Sequence, residues 1–251
     1  MTQEINGTGN DRGLEAAPAA ASANPKGAIV AALLDLAGER NWEDISLSEV
    51  AARAQVSLAT FREFFPSKGA VLAAFSRQID KQVLDGIGDN SAHDLAEEPA
   101  KERLFDVLMR RLDVLAPYRL GIEGISEWTS RDPLAAAAIN RLMLNSMRFM
   151  LEAAGIDSEG PVGALKLQGL TMAWRRVLKT WFSDDDPGLA ATMATLDREL
   201  TRGEKLVGRA EDLSRLTSPL VSIARALVER RRSRGTSRER WDDEREEHRP
   251  L

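Results

Sequence analysis

Apolar residues recur at helical spacing wherever the chain is tested between residues 26 and 232, and no segment alternates apolar and polar residues between hairpin turns. A three-and-four spacing lines side chains along one face of an α-helix, whereas a half-buried strand needs a period of two. Alanine and leucine are abundant, β-branched and aromatic residues are sparse, and breakers interrupt the pattern at intervals. The chain is therefore expected to be all-α, a set of helices burying their apolar faces against one another. No repeat of fixed period appears, which argues against a solenoid.

Caps and breakers punctuate the pattern. Asn24 and Pro25 make an N-cap and first-turn pair, after which Ile29, Leu33, Leu36 and Ala37 share a face. Ser46-Leu47-Ser48-Glu49 is a capping box, and Leu47, Val50, Ala51 and Ala54 give that second helix its inward face. Ser57 caps a short third helix with Leu58, Phe61 and Phe65 inward, and Pro66-Ser67 ends it. Ser67 caps a fourth helix carrying Val71, Leu72, Phe75, Ile79 and Val83. Gly86, Gly88 and the stretch 89–99 then separate this unit from helices expected near 99–116, 119–128, 131–154, 161–182 and 187–216. Asp186-Pro187 opens the last of these, and a Pro219-initiated segment follows to about Arg232. Residues 1–25 hold too little apolar surface to offset the entropy of ordering and are expected to be a disordered tail. Residues 233–251 are expected to be a solvated, charged tail, leaving domains at 26–85 and 99–232.

The composition restricts the chemistry. Of 251 residues, 39 are acidic and 34 basic, a formal charge of −5, so a uniformly basic coat is excluded while a local basic patch is not. The absence of cysteine excludes disulfides and thiolate metal sites. The two histidines, His93 and His248, sit in polar, breaker-rich surroundings and support neither a helical zinc motif nor a nucleophile–base relay. Glu123 and Glu127, one turn apart, read as a solvated face, and Asp184–Asp186 read as favouring a helix N-terminus. No metal, cofactor or enzymatic activity is expected. No apolar run approaches the roughly 18–20 residues that span a bilayer, and the first residues lack a secretory profile, so a cytoplasmic protein is expected.

The interval from Ser46 to Phe65 carries the functional signal: a capped helix, a turn at Gln55-Val56 and a short helix form a helix-turn-helix outline. Val50-Ala51, Val56-Ser57, Thr60-Phe61 and Phe65-x-Ser67-Lys68 occur in the order and spacing of the N-terminal domain of TetR-family transcriptional regulators, which residues 27–80 resemble. The resemblance implies that the third helix enters a major groove. Carried over by position, Ser57, Leu58, Ala59 and Thr60 face bases or the adjoining backbone, while Ser46, Ser48 and Lys68 contact phosphate. The chain departs from the family at Gln55 and Ala59, where glycine is usual, and at Arg62 and Phe64, where tyrosine and histidine are expected. Arg62 can bind phosphate, Phe64 cannot, and Glu63 would repel it. Seven basic and seven acidic side chains between residues 26 and 81 leave few cations for counterion release.

The same resemblance implies a ligand cavity among the later helices, for which Leu104, Phe105, Leu108, Trp128, Met143, Met147, Met150 and Trp174 are the candidates; ordinary core is the alternative for each. Leu189, Met193, Leu196, Leu200, Gly203, Val207 and Ala210 follow a 4-3-4-3-4-3 spacing, a seam for lengthwise packing. Together with the helix carrying Leu167, Leu170, Trp174, Leu178 and Trp181, that seam suits either a homodimer interface of the TetR kind or packing within the chain. From Asn145 onward, Met150–Ile156, Trp181, Asp185–Pro187 and the helix from Leu189 through Gly203-Glu204 resemble the C-terminal domain of the lipid-binding accessory family of ubiquinone biosynthesis. Two functions are thereby implied. The first is a DNA-binding regulator, a repressor acting on a palindromic operator and controlled by a small hydrophobic effector. The second is an accessory protein that holds an isoprenoid lipid without binding DNA. Leu220, Val221, Ile223, Ala224, Leu227 and Val228, followed by Arg230-Arg231-Arg232, suit either a docked helix or a membrane surface.

Overall fold

A computed structural model describes residues 24–94 and 98–209. The described residues form nine α-helices: α1 (Pro25–Glu39), α2 (Leu47–Arg53), α3 (Leu58–Phe64), α4 (Lys68–Asp94), α5 (Ala100–Leu115), α6 (Arg119–Arg131), α7 (Pro133–Ala153), α8 (Gly160–Trp181) and α9 (190–209). Short 3₁₀ turns, Trp42–Asp44 and Ala116–Tyr118, precede α2 and α6. No strand occurs among the described residues, and the protein is all-α.

The local signals act where the caps place them. The Asn24 side chain accepts from Gly27 N at 2.9 Å with Pro25 in the first turn. The Ser67 hydroxyl accepts from Ala70 N at 3.2 Å as α4 begins. Two boundaries differ from expectation. α4 does not stop at Gly86 and Gly88 but continues to Asp94. Each glycine weakens a helix by only about 1 kcal/mol, and here Val83 is buried one turn earlier while Arg110 Nη1 donates to Gly86 O at 2.7 Å. Asp186-Pro187 does not open the last helix. The Asp186 carboxylate accepts from Gly188 N and Ala190 N, which curls Pro187–Leu189 into a turn, with Leu189 at φ +53°, before α9 starts. The tails at 1–23 and 233–251 and the segment 219–232 lie outside the described residues.

The chain divides into two compact units. Among the described residues, the first comprises 24–81 and Val114–Leu142, and the second comprises 82–94, 98–113 and 143–209. This division differs from the linear one read along the sequence, because α6 packs against α1. In the first unit the core is Ile29, Leu33 and Leu36 of α1, Val50 and Ala51 of α2, Phe61 of α3, Phe65, and Val71, Leu72 and Phe75 of α4. The α1–α6 crossing is closed by glycine: a Cβ on Gly121 would lie 2.3 Å from Leu34 O, and one on Gly124 would lie 2.0 Å from Ala37 O. Trp42 of the first 3₁₀ turn stacks on Trp128 of α6 with centroids 4.9 Å apart.

The second unit has its own core of Leu104, Val107, Leu108 and Leu112 on α5, Met147, Met150 and Leu151 on α7, Leu167, Trp174, Val177 and Trp181 on α8, and Leu196 and Leu200 on α9. Charged groups of this unit are held by neighbours. Glu199, 5% exposed, accepts from Arg176 at 2.8 Å and Arg202 at 2.6 Å. Arg103 Nε donates to Ala154 O at 2.8 Å beyond the end of α7.

Candidate nucleic-acid interface

α2, its turn and α3 are built from side chains that satisfy one another locally. Ser46 N and Ser46 Oγ both donate to Glu49 Oε2 at 2.8 Å, and Glu49 N donates back to Ser46 Oγ at 3.2 Å, completing the capping box. Arg40 adds an ion pair to the same carboxylate at 2.8 Å. The backbone N–H of Ser46, then its hydroxyl, then Arg40 hold the Glu49 carboxyl down at about 2. A depressed carboxylate favours the folded state fully above its ordinary value of 4.5, and this contribution declines as pH falls below that value and is gone by about 2. At the other end of α2, Arg53 donates through Nη1 and Nη2 to the two carboxylate oxygens of Glu39 of α1, at 2.8 and 2.7 Å.

The turn closes with Val56 N donating to Ala51 O at 3.0 Å, which requires Gln55 in the left-handed region at φ +55°. A side chain there crowds its own backbone, a strain glycine lacks. Gln55→Gly is expected to raise stability by about 0.5–1 kcal/mol after its greater freedom in the unfolded chain is counted. Urea unfolding measures this, and Gln55→Ala should give no such gain.

α3 is anchored by Phe61, which is buried, and by Phe65 just beyond its end, the two rings 6.2 Å apart. At about 100° per residue, Leu58, Arg62, Ala59 and Glu63 then occupy one outward arc of roughly 140°, and all four are exposed. Two inward assignments are thereby corrected: Leu58 is 50% exposed and Leu47 36%. On so short a helix the two phenylalanines exhaust the core-facing arc, and Leu47 begins α2 on its open side.

The expected DNA-contact residues fall into three groups. Ser48, Leu58, Ala59 and Arg62 are exposed on the helix surfaces. The hydroxyls of Ser46, Ser57 and Thr60 serve caps: Ser57 Oγ accepts from Thr60 N at 3.0 Å and lies 2.9 Å from Thr60 Oγ1. Lys68, read from the sequence as a phosphate contact, is turned inward. Its ammonium donates to Trp42 O at 2.5 Å and Ile45 O at 2.7 Å and sits 4.8 Å from the centre of the Trp42 ring. Burial pushes its pKa down. Lys68 thus closes the carbonyl end of the first 3₁₀ turn. Lys68→Met should cost about 2 kcal/mol in denaturant unfolding by removing two charged hydrogen bonds, while leaving the salt dependence of any DNA binding unchanged.

The remaining candidates divide between the two units. Leu104, Leu108, Met147, Met150 and Trp174 are buried in the second unit, and Phe105 and Met143 are half-buried there. Trp128 belongs to the first unit, stacked on Trp42. Near Trp174 lies a group the apolar pattern could not reveal. Arg111, 3% exposed, has its guanidinium carbon 5.7 Å from that ring, with Nη1 3.7 Å from Met150 Sδ. Of the expected dimer residues, Leu170, Leu178, Trp181, Leu196 and Leu200 are already buried within one protomer, Met193 is exposed, and Gly203 and Val207 are half-exposed. Sequence periodicity marks an apolar face without saying which helix covers it. On α8 the large apolar residues left facing solvent are Leu165 and Met172, which the sequence reading passed over.

The capped α2, its turn and the exposed outer arc of α3 have the outline of a helix-turn-helix. Residues 29–75 match the family described as bacterial regulatory proteins, tetR family, so this stretch is similar to the helix-turn-helix domain of TetR-type regulators. About seven tenths of the chain is similar in fold to solved structures of TetR-type regulators. One from Nitrosomonas europaea ATCC 19718 is 23% identical with a TM-score of 0.56, over 71% of this chain and 97% of that one. One from Rhodococcus sp. RHA1 is 22% identical with a TM-score of 0.51, over 71% and 94%. A TetR-family regulator from Syntrophomonas wolfei is 18% identical with a TM-score of 0.51, over 73% and 95%. No curated protein matches the chain. No described helix is long and apolar enough to cross a membrane.

Proposed function

We propose that this protein is a sequence-specific transcriptional repressor that binds a palindromic operator as a homodimer in the cytoplasm and is released by a small hydrophobic ligand. The observation that carries the reading is the outward arc of α3: four consecutive-turn positions, Leu58, Ala59, Arg62 and Glu63, left open on a capped helix-turn-helix. A two-fold dimer presents two such helices to half-sites about 34–36 Å, or a multiple, apart. Leu165 and Met172, seven residues apart on α8, and Met193 on α9 are the large apolar side chains that favour pairing with a second copy. Leu108, Met147, Met150 and Trp174 are the apolar groups that a ligand entering the second unit would meet. Such a ligand acts as an inducer only if it binds the DNA-incompetent arrangement more tightly.

The test is selection from a random duplex library with the purified full chain at near-physiological salt, followed by salt titration on the selected site. Enrichment of a palindrome is the expected result. Because Arg40 and Arg53 are ion-paired and Lys68 is turned inward, the logarithm of affinity should fall only shallowly with the logarithm of salt. No enrichment from folded, dimeric protein overturns the reading. Isoprenoid lipid retained through purification, without DNA binding, would then favour the accessory-protein function.

A further inference from the structure

We infer that Glu63 is a base-reading residue that selects cytosine in the operator half-site, next to a guanine read by Arg62. The inference rests on the DNA-binding reading and goes one step further, to which side chains carry the discrimination. The outward arc of α3 holds two apolar side chains, Leu58 and Ala59, and two charged ones, Arg62 and Glu63. The hydroxyls at the start of the helix do not compete for that role, since Ser57 and Thr60 are hydrogen-bonded to each other across the cap. Other charged groups of this surface are also engaged: Glu49 with Ser46 and Arg40, Glu39 with Arg53, and Lys68 with two carbonyls. Arg62 and Glu63 are thus the side chains with hydrogen-bonding capacity that α3 itself turns outward.

An acid at this place is costly beside phosphates unless a donor meets it. In the major groove cytosine presents its N4 amino group, whereas guanine O6 and N7 and thymine O4 are acceptors that a carboxylate repels. A carboxylate therefore accepts from cytosine, is rejected by guanine and thymine, and at adenine meets the N7 acceptor beside the N6 donor, which leaves cytosine the best match. Arg62, one turn after Leu58, has the forked donors that match guanine O6 and N7. Leu58 and Ala59 offer apolar surface suited to thymine methyl groups rather than to hydrogen bonding.

The experiment repeats the random-duplex selection with the wild-type protein, Glu63→Gln and Glu63→Ala, each checked for an unchanged unfolding midpoint. The wild-type motif should hold a cytosine in each half-site that loses about tenfold or more in affinity when changed. Glu63→Gln should move that preference towards adenine, which pairs with an amide, and Glu63→Ala should erase it at that position while leaving the rest of the motif. A motif unchanged in both variants overturns the assignment. So does a uniform gain in affinity for all sequences in Glu63→Ala, the mark of a carboxylate that only repels phosphate. No motif from the wild-type protein overturns the DNA-binding reading, and this assignment with it. A motif whose cytosine survives both substitutions overturns this assignment alone.

Discussion

Gly124→Ala should destabilise the first unit by about 2 kcal/mol or more, despite replacing the poorest ordinary helix former with the best. The two effects oppose each other and differ in size. Alanine in a helix interior gains about 1 kcal/mol over glycine. Against this, the new Cβ would lie 2.0 Å from Ala37 O and 3.2 Å from Ala37 C. Those are backbone atoms of α1, so no side-chain rotation relieves the clash, and the two helices must move apart. Such overpacking typically costs 1–3 kcal/mol, occasionally more, and here the separation also loosens Ile29, Leu33, Leu36 and the Trp42–Trp128 stack. Denaturant unfolding followed by tryptophan fluorescence measures the loss. Gly69→Ala is the control: its Cβ would meet nothing closer than Ser67 Oγ at 3.8 Å, so it should be neutral or gain up to about 1 kcal/mol. Equal outcomes for the two substitutions would mean that α6 is not held to α1 by close backbone approach.

Asp184→Ala should cost about 3 kcal/mol in the second unit. Asp184 is 6% exposed, and its Oδ2 accepts from Thr192 N at 2.8 Å and from Thr192 Oγ1 at 2.6 Å. Asp186 N donates to its other oxygen at 3.3 Å. Thr192 is fully buried, so truncation leaves an N–H and a hydroxyl with neither water nor carboxylate, the expensive way to lose a hydrogen bond. Asp184→Asn keeps one acceptor and should recover about half of the loss. The consequence reaches the proposed dimer surface, because this carboxylate seats the first turn of α9, where Met193 faces solvent. Melting temperature and sedimentation of the variant should fall together. A variant that unfolds like the wild-type protein would show that α9 is seated by its apolar face alone.

These two sites had different visibility in the sequence. Asp184–Asp186 was legible as a helix-start signal because capping is local chemistry, a carboxylate meeting N–H groups a few residues away. How Asp184 and Asp186 share it was not legible, since that depends on the turn through Pro187 and Gly188 and on the burial of Asp184. Gly121 and Gly124 carried no local signal at all. Spaced glycines inside a helical pattern look like weak points, and only the crossing of α1 shows that they are contact points.

The same distinction runs through the candidate interface. The caps at Asn24, Ser46, Ser57 and Ser67, the inward faces of α1 and α4, and the all-α class follow from periodicity and side-chain chemistry within a few residues, so the sequence alone determines them. The fate of each exposed group is decided elsewhere. Lys68 follows Ser67 like a free cation ready for phosphate, but the carbonyls of Trp42 and Ile45, more than twenty residues away, capture it. Leu170, Leu178, Leu196 and Leu200 have the spacing of an interface, yet they are buried within one protomer, while Leu165 and Met172 remain open. Period and capping are properties of a single helix and can be read along the chain. Which face is covered, which charge is paired and which arc of α3 stays open depend on contacts between residues distant in sequence, and only the tertiary structure decides them.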